Sequence, residues 1–174
     1  MTTRGIDFAR LTLVDALDLA VLIEEEARDR YEELADQLEL HHTAEAARFF
    51  RKMVHVEEKH RTELVKRRRS LFGDGATRVD RAMLFDVEAP DYDVARASMS
   101  LRAALEASMV SEKKAHDFFA AAIPSITDPH VRALFAELRE EELEHQKWVQ
   151  SELDRPEAKG EVGGDDWSDD PVAH

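Results

Sequence analysis

The chain has 174 residues and no cysteine. That excludes a disulfide framework, a thiolate zinc site and an iron–sulfur cluster. Glycine and proline are scarce, at 6 and 5, so few positions break a helix or force a turn. No apolar run approaches the roughly 20 residues that span a bilayer. The opening, "MTTRGIDFAR", lacks the apolar core of a secretory signal, and a cytoplasmic protein with no membrane partner is the expectation. Basic charge is short as well: 24 Lys and Arg stand against 38 Asp and Glu, a net charge of −14. Nucleic-acid binding rests on neutralising phosphates with cations, so this balance argues against it. It suits a protein that attracts cations. The basic run Lys66, Arg67, Arg68, Arg69 is the exception. It reads as cations offsetting the dipole at a helix C-terminus.

What is abundant favours helix. Apolar residues recur at three- and four-residue steps in four segments. The first runs from about Leu13 to Leu38, with Leu17, Val21, Tyr31, Leu34 and Leu38 on one stripe; Thr12 and Asp15 resemble a capping box at its start. The second runs from about Ala44 to Leu71, with Ala46, Phe50, Met53 and Leu64 in line, Thr43 as N-cap and Gly73 and Gly75 as the stop. The third runs from about Ala95 to Ile123 through Leu101, Leu105, Met109 and Phe119. The fourth opens on Asp128 and Pro129 and continues through Val131, Leu134, Leu138 and Val149 to about Leu153.

The first and third connections are a few residues long, and short links join antiparallel neighbours. The middle connection, from about Phe72 to Val94, can travel the length of a helix. The expectation is an all-α fold: a ferritin-like four-helix bundle over residues 1–155, made of two antiparallel hairpins joined by one long crossover. Residues 156–174, "PEAKGEVGGDDWSDDPVAH", are acidic and poor in apolar side chains, and read as a disordered tail. Trp167 within it is a candidate docking residue.

Three glutamates stand three residues before a histidine: Glu39/His42, Glu57/His60 and Glu142/His145. With 8 histidines and 21 glutamates, about one such pair arises by chance, so the spacing alone is a weak signal. Position separates them. Glu39/His42 falls at the first turn. Glu57 lies about as far beyond that turn as Glu24 lies before it, and Glu112 and Glu142 flank the second turn in the same way. Each of these carboxylates occupies a place where its helical neighbours are apolar. Glu25, Glu26, Glu58, Glu140 and Glu141 read as outward or supporting, and the adjacency leaves a one-residue ambiguity on the first and third helices.

A buried, unpaired carboxylate costs several kcal/mol. Four at one level would repel each other, whereas two divalent cations would balance them. Spacing of three puts each His one turn beyond its Glu on the same face. Carboxylate oxygens and neutral imidazole suit Fe, Mn or Zn. A Glu from each of two helices with Glu-x-x-His from the other two is the di-iron arrangement of such bundles. The candidate ligands are therefore Glu24, Glu57, His60, Glu112, Glu142 and His145. Tyr31, Phe119 and Trp148 read as core packing rather than redox relays.

On "EEEARDRY" (24–31), "EEKH" (57–60), "SEKKAHDFF" (111–119) and "EELEH" (141–145), the chain resembles the ferritin-like superfamily, specifically rubrerythrin-like and bacterioferritin-like proteins. The resemblance implies two bound irons, with Glu57 and Glu142 bridging them. It implies oxidation of Fe(II) by O₂ or H₂O₂, for storage or for detoxifying peroxide, and a homodimer or larger homo-oligomer. The chain departs from those relatives in three places. It has no cysteine for a rubredoxin domain, so electrons would come from a separate donor or from Fe(II) itself. Ala115 stands where rubrerythrins carry an extra glutamate, a departure that argues against efficient peroxidase turnover. Glu58 stands where bacterioferritins carry a haem-binding methionine, so no haem is expected. Two other classes fit the same scaffold: a di-iron oxygenase acting on an organic substrate, and a metal-free helical interaction bundle.

Overall fold

The computed structural model describes residues 6–40, 44–80, 87 and 100–159. Four long helices dominate: α1 (Leu13–Leu40), α2 (Ala44–Phe72), α3 (Leu101–Ala122) and α4 (Pro129–Leu153). A 3₁₀ turn at Ile123–Ser125 joins α3 to the loop before α4, and a one-turn helix α5 (Pro156–Lys159) follows α4. The described residues contain no strand. The fold is an all-α, ferritin-like bundle.

The helix ends follow from local chemistry. The Thr12 hydroxyl accepts from the Asp15 N–H, which is one half of the capping box the sequence suggests, and donates to the Asp15 carboxylate, which thus engages the hydroxyl. Asp128 caps α4 by accepting from the N–H groups of His130 and Val131, with Pro129 in the first turn. Gly73 ends α2 at φ 71°, a left-handed position that suits glycine, and its N–H reaches Arg69 O at 2.9 Å.

The start of α3 differs from the sequence expectation. Ala95 lies outside the described residues, and the helix begins at Leu101. Ser100 has extended backbone (φ −69°, ψ 161°), and its hydroxyl accepts from Ala103 N–H at 3.2 Å. A serine that can cap competes with continuing the helix. Thr43, His42, most of the crossover (81–86 and 88–99) and residues 160–174, with Trp167, also lie outside the described residues. Residues 156–159, placed in the tail by sequence, form α5 with Ala158 buried.

Helix α1 packs along α2, and α3 along α4; the hairpins meet through α2 with α3 and through α1 with α4. Ion pairs fix the antiparallel register of the first hairpin: Arg68 with Asp18, Arg28 with Glu58, and Arg51 with Asp36 and Glu39. The three arginines of the basic run near the end of α2 engage partners within this chain. Arg68 donates to Asp18 and to the carbonyls of Gly73 and Gly75, Arg67 pairs with Glu137 on α4, and Arg69 pairs with Asp74.

The interior divides into two apolar clusters. One holds Ala27, Tyr31, Phe50, Met53, Leu105, Met109 and Val149. The other holds Leu17, Ile23, Leu64, Ala115, Phe119, Phe135 and Leu138, and Phe8 from the N-terminal segment stacks edge-on against Phe118 and Phe135. Each fully buried Leu or Phe contributes roughly 2 kcal/mol. On every long helix the chain passes from one cluster to the other: at Ile23 to Ala27, Met53 to Leu64, Met109 to Ala115, and Leu138 to Val149. The polar candidates lie in those four gaps.

Candidate metal centre

All six residues singled out by sequence meet in one layer between the clusters. Glu57 and Glu112 are fully buried, Glu24 and Glu142 are 2% exposed, and His145 is 9% exposed. His60 is half-buried. Glu25 and Glu26 are only half-buried, so burial singles out Glu24 on α1.

Helical spacing delivers these side chains. Glu24 follows Leu17 and Ile23 around the inward face of α1. Glu57 with His60, and Glu142 with His145, each put two donors on one face a turn apart. In the register of the first hairpin Glu24 reaches His60, with Oε2 3.7 Å from Nδ1. In the second, Glu112 Oε2 lies 2.9 Å from His145 Nδ1 and Glu142 Oε2 lies 3.6 Å from the same atom. His60 and His145 stack face to face, centroids 4.8 Å apart at an interplanar angle of 5°, and so join the two hairpins. Two sets of donors converge within 4.8 Å: Glu57, His60 and His145, and Glu112, Glu142 and His145. His145 belongs to both.

The electrostatics are those of acid groups short of cations. Burial raises Glu24 from 4.5 to about 7, opposed by a hydrogen bond with Glu57 and by His145. Burial, then the nearby charges of Glu112 and Glu24, push Glu142 well above the ordinary carboxylate range. Burial and the neighbouring His145 lower His60 to about 4, so it is neutral at pH 7. Glu24 Oε2 and Glu142 Oε2 are buried with no hydrogen-bond partner. Buried polar atoms are nearly always satisfied, so such orphans call for an ion or another partner. A neutral imidazole and a carboxylate oxygen without a donor are both suited to a divalent cation.

Sequence reasoning missed several members of the layer. Tyr31, assigned to packing, does stack on Phe50, but its hydroxyl donates to Glu112 Oε1 at 2.8 Å and lies 3.3 Å from Ser108 Oγ. Ser108 and Ser111 are fully buried beside it, and Ser111 Oγ has no hydrogen-bond partner. The Gln146 side chain donates to the backbone carbonyl of Glu112 at 3.3 Å. Two serines on the inward face of α3 were the available signal. Phe119 and Trp148 do pack, the first on Phe135 and the second on Phe49. Glu39, the first-turn member of a Glu-x-x-His pair, is exposed and engages Arg51. Glu58 engages Arg28 and Arg61, which hold it at about 2.

A small cavity adjoins the layer on the α2–α4 side. His60 lines this cavity of about 90 Å³ together with Glu63, Arg67, Glu137, Glu141 and two leucines. No helix among the described residues is long and apolar enough to cross a membrane.

No curated protein matches the chain. One solved structure, of an uncharacterized conserved protein from Magnetospirillum magnetotacticum MS-1, matches with 27% identity over 82% of this chain and 94% of its own, at a TM-score of 0.65. The rubrerythrin family model matches residues 15–153. That match runs from the first turn of α1 to the end of α4 and takes in every residue of the polar layer, and on it the chain belongs to the rubrerythrin family.

Proposed function

We propose that this protein binds two iron ions between its hairpins and oxidises Fe(II) with O₂ or H₂O₂, in iron handling or protection from oxidants. The observation that carries the reading is the layer itself: four buried carboxylates and two imidazoles between apolar clusters, with carboxylate oxygens that lack donors. Burying such charges costs several kcal/mol each, enough to cancel several apolar residues. Stability is therefore no reason to keep the layer, and ligation is. Four carboxylates balance two divalent ions in charge. Glu24, Glu57, His60, Glu112, Glu142 and His145 are the proposed ligands, and Mn or Zn could substitute for iron.

Bound iron would supply one electron per ion to the oxidant. Two electrons and two protons convert H₂O₂ to two waters, or O₂ to H₂O₂. The chain's own groups set the conditions. Tyr31 holds Glu112 by its hydroxyl, and His145 holds the other oxygen of that carboxylate. Glu24 and Glu142, raised by burial, hold protons more tightly than free carboxylates when no cation is present and give them up as one binds. The apolar clusters above and below exclude bulk water. In this reading electrons come from Fe(II) itself or from a separate donor, because the chain carries no cysteine to hold one. The cavity at His60 is small and mostly charged. That favours ions and small oxidants over an organic substrate for an oxygenase.

The test is stopped-flow oxidation of Fe(II)-loaded protein by O₂ and, separately, by H₂O₂. The expected result is oxidation faster than that of free Fe(II), lost in Glu142→Ala. The preferred oxidant separates ferroxidase from peroxidase. Equal rates for the wild type, Glu142→Ala and free Fe(II) would overturn the reading.

A further inference from the structure

The cavity at His60 lies between α2 and α4. Its wall carries three carboxylates, Glu63, Glu137 and Glu141, and one guanidinium, Arg67. Leu64 and Leu138, both buried, complete the lining. At its inner end stands His60, whose Nδ1 faces the unpartnered Oε2 of Glu24 at 3.7 Å. The cavity therefore joins exposed acidic side chains to His60, and His60 in turn faces a buried oxygen that lacks a donor.

Among the six residues of the layer, His60 keeps the most exposed side chain, ahead of His145 at 11%. The four carboxylates are 2% exposed or less, whereas the side chain of His60 retains 16%. Glu141 stands between mouth and layer. It is half-buried, it lines the cavity, and its charge is felt by Glu24 and Glu142 inside. Glu63 and Glu137 are exposed at the mouth. Glu63 also faces Lys59 at 3.9 Å, a fully solvated pair that leaves its carboxylate open to a passing ion. Arg67 is held by Glu137, one guanidinium nitrogen donating to both carboxylate oxygens at 2.8 and 3.0 Å. That pair bridges α2 and α4 across the cavity.

We propose that this cavity is the entry route for divalent cations, with Glu63 and Glu141 as transit carboxylates and the Arg67–Glu137 pair as a positive gate beside them. The proposal rests on the metal-binding reading above. A partly enclosed acidic path raises the local concentration of cations and the rate at which they arrive. A fixed guanidinium in the same path lowers it. The two kinds of group must therefore act on loading rate with opposite sign. Neither is placed among the ligands, so neither changes how many ions bind.

Co(II) alone, followed by its visible absorbance after rapid mixing with the full chain, reads the rate and the end point together. Glu141→Gln and Glu63→Gln are expected to slow loading roughly five- to tenfold each, and Arg67→Ala to accelerate it several-fold, with an unchanged number of ions bound at equilibrium. Glu144→Gln, an exposed change elsewhere on α4, is expected to load as the wild type does. Thermal unfolding of each variant identifies any that has lost its fold. Wild-type loading rates in Glu141→Gln, Glu63→Gln and Arg67→Ala would overturn the route and leave the metal reading intact. Failure of the wild type to take up Co(II) at all would overturn both.

Discussion

His60 on α2 and His145 on α4 stack ring on ring, 4.8 Å apart and within 5° of parallel. They join the two hairpins across the polar layer, as the Tyr31 hydroxyl on Glu112 also does. Two imidazolium rings in that geometry would repel, and ligation requires the neutral form. The stack thus favours the state in which both rings can bind a cation.

The two histidines are not equivalent. His145 contributes to both sets of converging donors, and His60 to one. His145→Ala is expected to abolish tight binding at both positions, and His60→Ala to leave one ion bound. Equilibrium dialysis against Zn(II) with metal analysis measures this. Equal loss in both variants would contradict the shared role of His145.

The metal-free protein should lose stability as pH rises through neutrality. Glu24 has a folded value of about 7 against 4.5 unfolded. A raised acid contributes stability fully present below 4.5, and that stability is lost as pH rises through 7. The shift corresponds to roughly 3 kcal/mol, and Glu142 acts in the same direction. His60 works the other way: its lowered value of about 4 contributes stability present above 6.5 that is lost as pH falls through 4. The expected optimum of the chelator-treated protein is therefore mildly acidic. Bound cations replace the protons and should flatten the upper limb. Urea unfolding at pH 5.5 and 7.5, with and without Mn(II), measures it; a metal-free protein more stable at pH 7.5 would contradict the electrostatic account.

Tyr31→Phe removes one hydroxyl and leaves the ring on Phe50. Glu112 Oε1 then loses its donor in a fully buried place. The expected cost is about 1–3 kcal/mol in the metal-free protein, read as a lower urea midpoint with unchanged slope. An unchanged midpoint would return Tyr31 to packing alone.

Much of this was legible in the sequence because helices repeat. The stripe through Leu17, Tyr31, Leu34 and Leu38 is buried, and Asp128 with Pro129 fixes the start of α4. Glutamate at four positions where periodicity asks for an apolar residue located the layer. What sequence could not supply is contact across helices. The hydroxyl of Tyr31 finds Glu112 eighty-one residues away, and an aromatic on an apolar stripe gives no sign of that. Arg68 reads as a cation near a helix end, yet its partner Asp18 lies fifty residues upstream. The register of the first hairpin depends on where its turn is centred, so equal distances from the turn brought Glu24 and Glu57 level only approximately; Glu24 also faces His60, one turn on. The start of α3 was misplaced because Ser100 is tolerated inside a helix and favoured at its cap.

The most direct test of the central claim is an anaerobic Fe(II) titration of the chelator-stripped protein, with bound iron counted per chain. The account predicts two tight ions per chain, and none in the double variant Glu57→Ala with Glu142→Ala. Binding no greater in the wild type than in that variant would contradict it, and would make the buried carboxylate layer something other than a metal centre.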